Sequence, residues 1–221
     1  MGRLFAFTIC TAREGGRVST RIIFMRHGQT DYNAAGRVQG QIDIALNEVG
    51  KSQVRAAAAR VAQLKPDRII SSDLSRAVDT AQGVANLLDV PVEVDKRVRE
   101  RAFGVFEGMS GAQMQADYGP WYSQWRSEGE CADAGIESRR DVGERFAQAV
   151  LEASQTPGTY LFVSHGSAIV QAMTCLLGLD PHEWAGLRGP DNCHWSILVR
   201  GDRPPHWRLL AHNFGVGQLE G

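Results

Sequence analysis

The sequence predicts an α/β fold with three layers, α/β/α, around a mostly parallel central sheet. Three observations carry that expectation. Short apolar runs of strand length alternate with longer helical patterns along most of the chain. Alternation of this kind places a crossover helix between parallel strands and covers both sheet faces. The 221 residues, 43% of them hydrophobic, are enough for one domain with its own core, and exclude a disordered tail or a coiled coil.

Taken in order, Ile22 to Met25 reads as a short buried strand. Glu48 to Leu64 is Ala-rich and helical, with Asn47 as its N-cap. Arg68 to Ser71 is a second strand, and Leu74 to Leu88 a second helix capped by Ser72 or Asp73. Val92 to Val94 is a third strand, opened by Pro91. Ser138 to Ala153 is a helix in which Ser138 and Asp141 stand at capping-box spacing. Thr159 to Val163 is a fourth strand, followed by a helix from Ser167 to Leu177. Trp195 to Val199 and Trp207 to Leu210 are late strands joined by the turn Gly201-Asp202-Arg203-Pro204-Pro205.

Ala102 to Glu137 breaks the rhythm. It carries glycines, the i,i+4 pair Trp121 and Trp125, and a Gly/Glu/Asp-rich loop, which marks a substrate-shaping insertion. The tryptophan spacing favours core packing over a substrate lid. Residues 1–20 read as an N-terminal extension, and 21–221 as one domain containing the insertion. The apolar patch Leu4-Phe5-Ala6-Phe7 reads as part of that extension rather than as a signal peptide.

With Lys+Arg 24 against Asp+Glu 25, the chain lacks the basic excess of a nucleic-acid or polybasic membrane binder. A small anion responds to local charge and is not excluded. No apolar run reaches the roughly 18 residues of a membrane span. Cys10, Cys131, Cys175 and Cys193 form no metal-type spacing and read as reduced thiols in a cytoplasmic protein. Gly50-Lys51-Ser52 is a near miss to a nucleotide-binding loop, with Ala45 in place of the first glycine.

In an open α/β sheet, ligands bind beyond the carboxyl ends of the strands. Those ends carry Arg26-His27-Gly28-Gln29-Thr30, Ser71 to Arg76, Arg99-Glu100-Arg101 and Ser164-His165-Gly166. Two histidines, two arginines and a glutamate thus converge on one edge. This set suits phosphoryl transfer. Two guanidiniums can grip a phosphate dianion. A neutral imidazole, His27, can attack phosphorus. Gly28 lets backbone approach the anion, and Gly166 offers helix N-terminal donors to it. A carboxylic acid, for which Glu100 is the candidate over Glu93, Glu107 and Glu137, can protonate the leaving alkoxide. The arginines and His165 supply the positive field, so the reading needs no metal and no cofactor.

Arg26 to Thr30 followed by Asn33 resembles the signature of the histidine phosphatase superfamily, the phosphoglycerate-mutase-like proteins. Gln39-Gly40-Gln41, Leu46 to Gly50, Ser71 to Ala77, Glu100 with Phe103-Gly104, Glu107-Gly108 and Ser164-His165-Gly166 extend the resemblance over Ile22 to about His212. It implies a phosphoglycerate-mutase-like fold and a phosphohistidine mechanism. His27 would be the phosphorylated nucleophile, with Arg26, Arg76 and His165 holding the phosphate. Glu100 would act first as acid and then as base. Asn33 would line the phosphate pocket, Gln39 and Gly40 its rim, and Gln29 and Thr30 its wall.

Residues 26–33, Gly135 to Arg139, Asp191 to Trp195 and Trp207-Arg208-Leu209 are similar to the glucosyl-3-phosphoglycerate phosphatases. Ile136 stands where that group commonly has glycine, and His194 where it has a small residue. Both would reshape the substrate side. The expected activity is a metal-independent phosphomonoesterase acting on a small phosphorylated metabolite. One rival is a phosphoglycerate mutase, against which the short interval of 65 positions from Glu100 to His165 speaks. The other is a non-catalytic phospholigand-binding module, against which the intact set of five speaks. A homodimer is left open, since no interface pattern demands one.

Overall fold

The computed structural model describes residues 19–216. The apolar patch at residues 4–7, Cys10 and all but the last two residues of the expected extension lie outside them. Those last two pack on the sheet: Ser19 Oγ donates to the Arg200 carbonyl at 3.0 Å, and Arg200 N–H to that of Thr20 at 2.8 Å.

Six strands form one sheet: β1 (Arg21–Arg26), β2 (Arg68–Ser71), β3 (Val92–Val94), β4 (Thr159–Ser164), β5 (Trp195–Arg200) and β6 (Trp207–Phe214), in the order β3-β2-β4-β1-β5-β6. The first four are parallel, and β5 and β6 add an antiparallel edge. The helices are α1 (Asp31–Ala34), α2 (Glu48–Ala62), α3 (Ser75–Ala85), α4 (Gly111–Glu128), α5 (Arg139–Ala153) and α6 (Gly166–Leu176).

Strand side chains alternate between faces, and β1 divides accordingly. Ile22 and Phe24 join α5 and α6 in one core through Phe146, Ile169 and Met173. Ile23 and Met25 join α2 and α3 in the other through Val61, Ala81 and Val84. Each large apolar side chain buried this way contributes about 1.5–3 kcal/mol. The three-layer α/β/α expectation therefore holds.

Local chemistry sets the helix starts, with one correction. Asn47 and Ser138 accept from Gly50 N–H and Asp141 N–H, as their spacing predicts. Neither Ser72 nor Asp73 caps α3. Its N-cap is Leu74, which has no side-chain acceptor, and Asp43 from a distant loop accepts from Ser75 N–H at 2.8 Å instead. Asp73 is held by Arg99. The decoy Gly50-Lys51-Ser52 lies inside α2.

The 102–137 segment contains a helix that the sequence reading leaves out. α4 opens with a capping box between Ser110 and Gln113, bends at Tyr118 (φ −138°, ψ 37°) ahead of Gly119-Pro120, and stops at left-handed Gly129. It builds a small core of its own on Phe106, Met114, Cys131, Ala134 and Ile136. Trp121 stacks on Tyr118, and Trp125 packs against Phe103 and Phe106. Among the described residues no helix is long and apolar enough to cross a membrane.

Candidate active site

Three neighbouring parallel strands end together. Arg26 pairs with Ser164 and Ser71 with Val163, so His27, Ser72 and His165 emerge side by side from β1, β2 and β4. Backbone bonds lock the step: His27 N–H donates to the Ser164 carbonyl and Ser72 N–H to that of Val163, both at 3.0 Å.

The two imidazole centroids lie 5.1 Å apart. His27 Nδ1 sits 2.7 Å from the Gly28 carbonyl. A carbonyl only accepts, so Nδ1 carries the proton and Nε2 keeps its lone pair. Nε2 has no partner among the described residues. Burial, reinforced by the charges of Arg26 and Arg76, holds the His27 pKa well below the usual imidazole value. Burial first, then Arg76, His27 and Arg26, does the same to His165. Both rings are neutral near neutral pH. Arg76 Nε–H donates to His165 Nδ1 at 3.3 Å, which leaves the proton on Nε2, 2.9 Å from Ser72 Oγ.

Arg76 is fully buried. Its terminal nitrogens donate to the carbonyls of Ile42 (2.7 Å) and Gly40 (2.8 Å), fastening the 40–42 loop over the site. Arg26 donates one bond, to the Pro190 carbonyl at 2.9 Å, and its Nε is buried without a partner. Burial lowers the pKa of both guanidiniums, with Glu100 opposing, but arginine stays charged. Among the described residues neither forms a salt bridge. Two buried charges outside any direct salt bridge, and an orphaned donor, suit an anion.

Glu100 reaches this place from the loop after β3. Its Oε1 accepts from Arg101 N–H (2.8 Å) and Ala168 N–H (2.8 Å), and its Oε2 from Ser167 N–H (3.1 Å). The carboxyl group of Glu100 therefore occupies the first turn of α6, and the donors expected of the Gly166 turn go to it rather than to a bound ligand. Behind it, Arg145 donates to the carbonyls of Arg97, Arg99 and Glu100, while Glu137 accepts from Arg145 and from Ala102 N–H. No sequence signal marks this clamp.

A cavity of about 170 Å³ opens where these groups meet. Arg26, His27, Arg76 and Glu100 line it, with Asn33, Gln39 and Gly40. Arg37, Val38 and Phe103 complete the wall, and nothing in the sequence reading singled them out for it. Gly28, Thr30 and Gly166 stand behind the lining residues. A Cβ on Gly28 would meet the Gly50 carbonyl oxygen at 2.8 Å, and its N–H donates to Thr80. The glycine is required by the crossing with α2, not by an anion. Thr30 caps α1 and its hydroxyl donates to Gln39 Oε1 at 2.8 Å, fixing a lining side chain. Gly40 has φ +55°, and a side chain there would strike Glu107. Glu107 ties Gln41 N–H to Phe103 N–H.

Asn192, just ahead of β5, also reaches the site. Its side chain does the work, donating to the His27 carbonyl and to Asn33 Oδ1. Ile136 is buried in the α4 core, and His194 turns to Asn213, so neither lines this cavity. Burial pushes the Cys193 thiol up to about 12 and Cys175 up to about 11, consistent with unreactive thiols.

Comparison with known proteins bears on the same residues. Residues 22–213 match the model of the histidine phosphatase superfamily (branch 1). A glucosyl-3-phosphoglycerate phosphatase of Mycolicibacterium vanbaalenii is 36% identical over 211 residues, covering 87% of this chain and 94% of the relative. A probable phosphoglycerate mutase of Yersinia enterocolitica is 34% identical over 188 residues, covering 83% and 86%. The solved structure of a mycobacterial glucosyl-3-phosphoglycerate phosphatase in complex with VO3 superimposes with a TM-score of 0.78 at 37% identity, covering 88% of this chain and 98% of that one. By the span of the family match and the identity to these relatives, this chain belongs to the histidine phosphatase superfamily, as a phosphoric monoester hydrolase.

Proposed function

We propose that the chain hydrolyses glucosyl-3-phosphoglycerate or a closely related carboxylated phosphate ester in two steps through His27. The observation that carries the reading is the fixed tautomer of His27: Nδ1–H is bound to the Gly28 carbonyl, and Nε2 is left free beside two guanidiniums that form no salt bridge among the described residues. The substrate phosphoryl group sits between Arg26 and Arg76, whose forked donors match its oxygens.

In the first step Nε2 forms the P–N bond as the P–O ester bond breaks. Glu100 passes its proton to the departing alkoxide. The imidazolium that forms is stabilised by the carbonyl already bound at Nδ1–H. In the second step Glu100, now a carboxylate, takes a proton from water as that water attacks phosphorus. The P–N bond breaks and phosphate leaves. His165 positions Arg76 by accepting from Nε. Asn33, Gln39 and Gly40 shape the wall, and residues 102–137 shape the substrate side.

Support for hydrolysis over mutase chemistry comes from the short interval between Glu100 and His165 and from the phosphatase names among the relatives. The test is phosphate release from glucosyl-3-phosphoglycerate and from an aryl phosphate, with trapping of acid-labile phosphoenzyme. His27→Ala is expected to lower turnover at least about 10⁴-fold and abolish trapping. Substantial turnover in that variant, or isomerisation of 3-phosphoglycerate without phosphate release in the wild type, overturns the reading.

A further inference from the structure

Arg26 and Arg76 line the same cavity but are held differently. Arg76 directs donors to two loop carbonyls and to His165. The Arg26 guanidinium makes one bond among the described residues, from Nη1 to the Pro190 carbonyl at 2.9 Å. The aim of its fork therefore depends on how that carbonyl is fixed. The Pro190 carbonyl and the Asp191 N–H belong to one planar peptide group, and a trans peptide points the two in opposite directions. The N–H side is taken by Asn213. Asp191 N–H donates to Asn213 Oδ1 at 2.7 Å, and Asn213 Nδ2 donates back to Asp191 Oδ2 at 3.0 Å. An irregularity in the sheet brings Asn213 there. Trp195 pairs with Phe214 and Ile197 with Ala211, so His212 and Asn213 together face Ser196. This is a β-bulge on the edge strand β6, a device that re-aims a side chain. Asn213 has φ +55°, a left-handed conformation that asparagine adopts more readily than most residues. The buried Ser196 Oγ accepts from its N–H at 3.2 Å, which closes the bulge.

We propose that Asn213 is a positioning residue for phosphate binding, aiming the Arg26 fork through the Pro190–Asp191 peptide group. The inference rests on the reading, given above, that Arg26 grips the phosphoryl group. Asn213 is not among the residues that line the cavity, so it acts only through the loop ahead of β5. That loop has other ties to the strand end. Arg26 N–H donates to the His194 carbonyl, His194 N–H to that of Asp191, and Asn192 Nδ2 to that of His27. Those bonds hold main chain. The guanidinium itself meets only the Pro190 carbonyl, on the far side of the peptide group that Asn213 holds. His27 keeps its own anchor on the Gly28 carbonyl. Loss of the Asn213 amide therefore loosens the grip on phosphate while the nucleophile stays in place. A fork that strays no longer offers its donors to two phosphate oxygens together.

The test uses p-nitrophenyl phosphate as substrate and inorganic phosphate as competitive inhibitor. Asn213→Asp keeps the shape of the side chain but replaces the Nδ2 donor with an oxygen facing Asp191. Asn213→Gly keeps the left-handed backbone and removes the side chain. Each is expected to raise KM and the Ki of phosphate about tenfold. Each should leave kcat within about threefold of wild type. The swapped double variant, Asn213→Asp with Asp191→Asn, returns one amide and one carboxylate to the pair and is expected to recover most of the loss. An unchanged Ki in both single variants, a loss confined to kcat, or no recovery in the swap overturns the inference. A merely structural role would lower the active fraction, and with it kcat, without moving Ki. Arg26→Gln is run beside them. An unchanged Ki of phosphate in that variant overturns the reading of Arg26 itself, and the inference falls with it.

Discussion

The cavity at the strand ends and the 102–137 segment border one another yet are built by opposite means. The cavity is assembled from the ends of three adjacent parallel strands, and its principal side chains are anchored by hydrogen bonds to backbone. His27 and Asn33 bond main-chain groups of neighbouring residues, and Arg76 and Glu100 bond main-chain groups from distant parts of the chain. The segment rests instead on ring contacts among Phe103, Phe106, Tyr118, Trp121, Tyr122 and Trp125, with one fully buried aromatic, Phe106, at the centre. Hydrogen bonds fix direction and ring packing fixes mainly volume. The first construction suits one invariant chemical event. The second can be altered in shape without dismantling that event.

The largest contrast is expected from Arg76→Ala. It removes donors to two loop carbonyls and to His165 and leaves these buried acceptors unmet. Stability should fall by about 3 kcal/mol in denaturant titration, and kcat/KM for every phosphate ester by about 10³-fold or more. A loss confined to bulky substrates would erase the distinction between the two regions.

The acid response should also separate them. His27 and His165 are held neutral by burial, and the folded pKa of each lies below its unfolded value. The unfolded chain therefore binds more protons below the ordinary histidine pKa of about 6.5. Stability contributed by neutral burial is fully present above that pH and is lost as pH falls beneath it, at up to about 1.4 kcal/mol per pH unit for each ring. Thermal midpoints measured from pH 7.5 downward should show this decline, and His165→Asn should halve its histidine share. A stability profile flat to pH 5 in the wild type would contradict the neutral assignment.

The smallest effect belongs to the segment. Phe106→Leu should cost about 1–1.5 kcal/mol by leaving a gap among the rings. It should raise KM for large esters while aryl phosphate turnover stays within about twofold. Equal loss on both classes would mean that the segment supports the chemistry directly.

The strands and crossover helices were legible because two periods, alternation and 3.6, are written locally in Ile22 to Met25 or Glu48 to Ala62. The nearness of His27, Ser72 and His165 was legible because parallel strands present their carboxyl ends on one edge. α4 was obscured by Gly111, Gly119 and Pro120 and by rings that pack around a local core instead of along one stripe. β6 extends to Phe214, beyond the expected Leu210, and its second half carries the polar His212 and Asn213, which interrupt the apolar strand pattern. Asp43 at the start of α3, and the Arg145–Glu137 clamp behind Glu100, join residues 32 to 48 positions apart, or 8 across a helix start. No local pattern announces such contacts. Gly28 was legible as a necessary glycine, but its reason, the crossing with Gly50, exists only in three dimensions.

The 2.7 Å contact between His27 Nδ1 and the Gly28 carbonyl has a further consequence, in isomerism. Phosphohistidine exists as two regioisomers, and the backbone of the adjacent residue blocks the pros nitrogen. A phosphoenzyme formed on this ring is the tele isomer alone. In the proposed mechanism the regiochemistry of the intermediate is thus written by a main-chain carbonyl and not by any side chain that substitution could change.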